Sequence, residues 1–127
     1  MSPRRRWAMA AVGLFVIEVL IATVWKRVPF VRADLGDYLV VILLYAMAKA
    51  VRPFRALPLA VAIFVFGVAV ECAQGLGLAD VLGLAPGSVA RIVLGTTFQV
   101  SDLFMYLAGC LTAYLIDVRG RRVTPAT

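Results

Sequence analysis

Histidine is absent from the chain, and cysteine occurs only twice, at Cys72 and Cys110. Those shortages remove most of the usual ligands for zinc and haem. No CxxC and no Cys/His spacing exists, so neither a metal nor a cofactor is expected. Each cysteine lies inside an apolar run, where it reads as a small packing residue, and a bond between the two is left open. No nucleophile stands beside a base, so no catalytic residue is assigned. An acid pair can still do proton chemistry, which leaves an enzyme as the lesser expectation. Acids are scarce as well, with seven Asp and Glu against 13 Lys and Arg and a net charge of +6. The basic residues fall in short clusters between apolar segments. That is the positive-inside pattern of membrane proteins, so no nucleic-acid partner is expected.

What the chain has is apolar sequence. Hydrophobic residues make up 63% of it and its mean hydropathy is +0.96, whereas soluble domains average about 45–50% apolar. A chain of 127 residues with so many apolar runs keeps little for a separate soluble core. The expected fold is all-α, a single membrane domain over residues 1–127 whose partner is the lipid bilayer. Four transmembrane helices are expected at about 7–25, 37–52, 57–78 and 98–117, with a short interfacial helix before the last span. Nothing in the sequence sets an oligomeric state.

Three arginines precede Trp7, and the following run is too long for a signal-peptide core, so a retained span anchored by Trp7 and Trp25 is expected. Pro29 and Gly36 break the chain before the second helix, for which Asp34 or Asp37 is a candidate N-cap. Pro53 and Pro58 bracket a basic turn containing Arg55. Between 79 and 99 the chain is loop-like, and Ser88 is a plausible N-cap for the short interfacial helix. Nine basic residues (Arg4, Arg5, Arg6, Lys49, Arg52, Arg55, Arg119, Arg121, Arg122) fall on one side and four (Lys26, Arg27, Arg32, Arg91) on the other. Both termini are therefore expected in the cytoplasm of a bacterial inner membrane.

The stretch 57–78 carries Glu71 and Gln74, three residues apart and so on one helical face. A carboxylate in the bilayer centre costs roughly 2.5–3.5 kcal/mol even on insertion scales, so Glu71 must face protein, headgroups or water. Asp37 and Asp102 open two other helices from the same outer side. These carboxyls and the Gln74 amide are expected to converge on an outer-leaflet polar pocket, with Arg32 or Arg91 as counter-charge. Arg32, Asp37, Glu71, Gln74, Arg91 and Asp102 are the candidate ligand-binding residues. Glu18 is a membrane-buried acid expected several ångströms deeper, outside the cluster.

The runs ADLGDYLVVILLYAMAK, VECAQ and LGTTFQVSDLFMYLAGC resemble a family of small bacterial four-helix membrane proteins, a domain of unknown function sometimes labelled YjgA-like. The E-x-x-Q, the following Arg and the Asp opening the last helix also resemble VanZ-like proteins, which are associated with teicoplanin resistance in the envelope. VanZ-like chains tend to carry Asn one turn after that Asp, where this chain has Tyr106. The resemblance spans most of residues 27–110. It points to Arg32, Gly36, Asp37, Glu71, Gln74, Gly95, Phe98, Asp102, Tyr106 and Gly109, and to binding of an envelope lipid or lipoglycopeptide. Two other readings stay open: a small proton-coupled transporter and a structural subunit without a ligand. A continuous polar line from Glu18 to Lys49 would favour transport, and closure at the midplane would favour binding.

Overall fold

The computed structural model describes residues 2–25, 27–28, 34–94 and 100–123. Among these residues six helices follow one another: α1 (Pro3–Thr23), α2 (Gly36–Val51), α3 (Ala56–Gly75), α4 (Leu78–Val81), α5 (Val89–Leu94) and α6 (Val100–Val123). No strand occurs among the described residues.

Local chemistry explains the ends. The Ser2 hydroxyl accepts from the Arg5 N–H at 3.2 Å and Pro3 opens α1, so this helix starts four residues before the expected Trp7. Arg52 adopts an extended conformation (φ −151°, ψ 145°), which Pro53 favours in the residue before it, and α2 stops there. Pro58 is tolerated in the first turn of α3, where its missing N–H has no intrahelical partner to lose. Gly77 takes φ +86°, so α3 ends at Gly75, short of the expected residue 78. The Ser88 hydroxyl accepts from the Arg91 N–H at 3.2 Å and caps α5.

Packing follows three buried stripes. On α2, Asp37, Val41, Tyr45 and Lys49 recur every fourth residue, which places them on one face. On α3 the buried stripe is Ala56, Ala60, Ile63, Gly67, Glu71 and Gln74. On α6 it is Asp102, Tyr106, Cys110, Ala113 and Asp117. Helix α2 packs against α1 and α6, and α6 also packs against α3. Close approach is built in with glycine. A Cβ on Gly109 would run into the Val41 side chain and lie 2.5 Å from the Tyr38 carbonyl oxygen, and one on Gly67 would lie 3.0 Å from the Tyr106 ring. The pairs Asp37–Asp102, Val41–Gly109 and Lys49–Asp117 run in the same chain direction, so α2 and α6 are parallel. Helix α1 is antiparallel to α2: Arg4 Nε donates to the Ala50 carbonyl at 3.1 Å, and the Trp7 and Tyr45 rings lie 5.4 Å apart.

Outside these stripes the surface is apolar. Met9, Val12, Phe15, Val16, Val61, Val65, Phe104 and Leu111 are exposed, a distribution suited to lipid rather than water. Among the described residues three helices are long and apolar enough to cross a membrane: Pro3–Thr23, Ala56–Gly75 and Val100–Gly120. Helix α2, expected as a fourth span, has 16 residues. At about 1.5 Å per residue it falls short of a ~30 Å hydrocarbon core.

Candidate functional site

The parallel arrangement of α2 and α6 sets two helix N-termini side by side. Each bears an acid in its first turn, Asp37 and Asp102, where the positive end of the helix dipole favours negative charge. The two carboxyls stand side by side, and Glu71 and Glu18 lie within electrostatic reach of Asp37. Glu71 comes from α3 and is wholly buried. The Tyr106 hydroxyl donates to Glu71 Oε2 at 3.1 Å, with Asp37 and Asp102 also nearby. Gln74 is buried one turn beyond Glu71 on the same face. Each of the four long helices thus supplies one acid: Glu18, Asp37, Glu71 and Asp102.

Two enclosed oxygens in this group have no hydrogen-bond partner, Oδ1 of Asp102 and Oε1 of Glu18. A buried polar atom left unpaired costs about 1–3 kcal/mol, more when charged. Glu18, expected several ångströms deeper, lies on α1 five positions before that helix ends at Thr23 and within electrostatic reach of Asp37. Arg91 is elsewhere. Its Nη2 meets Asp80 Oδ1 at 2.8 Å and its Nη1 donates to the Leu84 carbonyl at 3.0 Å. Arg32 lies outside the described residues, as do Gly95 and Phe98.

A second polar group, which sequence reasoning missed, occupies the opposite end of the bundle. Lys49 Nζ stands 3.2 Å from Asp117 Oδ2, and both side chains are buried. The Tyr45 hydroxyl donates to the same oxygen, and Lys49 also donates to the Phe54 carbonyl at 2.9 Å. The signal was available: Tyr45 and Lys49 continue the fourfold spacing that begins at Asp37. Between the two groups lies an apolar layer that includes Val41, Ile63, Cys110 and Ala113. Twelve residues of α2 separate Asp37 from Lys49, about 18 Å along the axis.

Cys72 is exposed, Cys110 is buried, and both are free thiols. Among the described residues no three His, Cys, Asp or Glu side chains gather closely enough to hold a metal ion. Residues 26–110 match the family described as "Protein of unknown function (DUF2809)". The chain belongs to this family. The family match takes in Asp37, Glu71, Gln74 and Asp102, while Glu18 and Asp117 lie outside it. No curated protein and no solved structure matches the chain.

Proposed function

We propose that this membrane protein of the DUF2809 family binds the polar head of an envelope amphiphile, a lipid or a lipoglycopeptide, at the outer ends of its helices. In this reading the chain lies in a bacterial inner membrane with four spans and both termini in the cytoplasm. Helix α2 is the fourth span, its short length offset by the three longer helices around it. The observation that carries the proposal is the meeting of acids from four helices around Asp37, with an enclosed oxygen of Asp102 left without a partner. The resemblance to VanZ-like proteins adds the lipoglycopeptide.

The transport reading has less support. Val41, Ile63, Cys110 and Ala113 form the packed layer between the acids and the Lys49–Asp117 pair, and the Tyr38 and Thr112 hydroxyls there are paired with each other, so a proton path across the membrane would have to run through that pair. The test is susceptibility profiling of a deletion strain against glycopeptides and other envelope-active amphiphiles. Wild-type protein should restore the resistance profile and Asp102→Asn should not. Equal restoration by both would end the binding reading at this site.

A further inference from the structure

The end of the bundle that holds Lys49 and Asp117 has a surface chemistry of its own. Six exposed arginines stand there: Arg4, Arg5 and Arg6 at the start of α1, Arg52 and Arg55 between α2 and α3, and Arg119 near the end of α6. Contacts fasten these three segments to one another. Arg4 Nε donates to the Ala50 carbonyl at 3.1 Å, next to the segment that carries Arg52. Lys49 Nζ lies 3.2 Å from Asp117, on the turn before Arg119, and donates at 2.9 Å to the carbonyl of Phe54, the neighbour of Arg55. The Arg52 guanidinium sits 5.7 Å over the Phe54 ring. No exposed acid balances this charge among the described residues of that end. Asp117 is buried and taken up by Lys49 and Tyr45. Glu18, Asp37, Glu71 and Asp102 form the acid group at the other end, Asp80 holds Arg91, and Asp34 lies just before α2.

What lies beneath the arginines selects the kind of anion. Arg5, Met9, Val12 and Val16 follow at spacings of four, three and four, so they share one face of α1. Met9, Val12 and Val16 are each more than half exposed. Arg119, Leu115 and Leu111 repeat the arrangement at spacings of four on α6, and both leucines are exposed. Each of these faces is a cation set above an apolar stripe, which is the complement of a phosphate set above an acyl chain. A nucleic acid or an acidic protein would use the arginines and leave the stripes unmatched. Arginine's planar fork meets phosphate oxygens in pairs, and its long stem reaches headgroup level from a helix end. Half-buried Trp7 and exposed Phe54 lie at the same end, where aromatic rings suit the membrane–water boundary. A zwitterionic head brings its own cation to such a surface, and a net negative head does not. Clusters of basic residues beside membrane helices attract anionic lipids in this way.

We infer that this end of the bundle binds anionic phospholipids, with the phosphate on the arginine forks and the acyl chains along the stripes headed by Arg5 and Arg119. With both termini in the cytoplasm, as proposed above, these lipids belong to the cytoplasmic leaflet. The experiment is native mass spectrometry of the detergent-solubilised protein with equal amounts of phosphatidylglycerol and phosphatidylcholine of identical acyl chains. Phosphatidylglycerol should be retained at least about tenfold over phosphatidylcholine, a difference of about 1.4 kcal/mol. Arg5→Gln/Arg6→Gln and, separately, Arg119→Gln should each lower that preference at least about threefold while melting like the wild type. Free glycerol phosphate, at a concentration equal to the lipid's, should leave the bound lipid in place. Equal retention of the two lipids by wild-type protein would overturn the inference, and so would a preference that survives both variants. Displacement by glycerol phosphate would also overturn it, because the stripes would then contribute nothing. The wild-type comparison needs no variant, so a misfolded variant does not shield the inference. None of these substitutions touches the acid group, whose proposed role stands or falls separately.

Discussion

Lys49 and Asp117 form a buried ion pair at 3.2 Å, at the end of the bundle opposite the acid group. Removing one partner leaves the other buried without compensation, which typically costs about 3–5 kcal/mol. Asp117→Ala should therefore lower the unfolding midpoint in detergent far more than the double variant Lys49→Met/Asp117→Leu, which removes both charges. A double variant no more stable than Asp117→Ala would show that the pair is not the unit that matters.

Helix spacing supplies a second expectation. A methyl at Gly109 has no room between Val41 and the Tyr38 carbonyl, whereas a Cβ at Gly13 would meet nothing within 4 Å. Gly109→Ala should destabilise the α2–α6 seam by about 1–3 kcal/mol, in the range of overpacked cores. Gly13→Ala should be neutral or stabilising by up to about 1 kcal/mol, because alanine is the better helix former. Thermal melts of the two variants side by side decide it, and equal melting points would contradict the close approach.

Glu71 separates site from scaffold. Glu71→Gln keeps most of the hydrogen bonding, including an acceptor for Tyr106, while Glu71→Leu removes it. Interhelical hydrogen bonds in membranes average about 0.6 kcal/mol and reach about 1.7 kcal/mol. Leu should lower stability by about 1 kcal/mol and Gln by less, yet Gln should fail to complement the deletion strain. Full complementation by a normally melting Gln variant would reduce Glu71 to a helix tie.

Topology is directly measurable. Reporter fusions at residue 127 and within the 79–97 loop should read opposite sides of the membrane, with residue 127 cytoplasmic. A C-terminus on the external side would remove α2 from the count of spans and the acid group from the outer leaflet.

Most of the fold was legible because the long helices coincide with apolar runs separated by stretches that contain Pro29 and Pro53. The meeting of Asp37, Glu71 and Asp102 was legible for a related reason: each is an isolated acid near the end of an otherwise apolar helix. Glu18 was placed too deep because the first helix was counted from Trp7, and the Ser2 cap that moves its start to Pro3 shifts every level along it. Arg91 is held by Asp80, eleven residues earlier, through a loop that folds back with Gly83 and Gly87 at φ +70° and +78°. Composition marks such a loop but does not say which charge it returns to. Lys49 and Asp117 read as flanking charges because hydropathy alone cannot tell whether a residue at a helix end turns inward.

Parallel neighbours fastened at both ends have a mechanical consequence. A slide of α2 along α6 by one helical turn, about 5.4 Å, would part Asp37 from Asp102 and break the Lys49–Asp117 bridge together. It would also part the Tyr38 and Thr112 hydroxyls, which lie 2.8 Å apart between them. The two helices therefore behave as one rigid spar. Helix α1 joins that spar along α2, and α3 joins it along α6. Since α1 brings Glu18 and α3 brings Glu71, both acids are set against a pair that α2 and α6 hold in register.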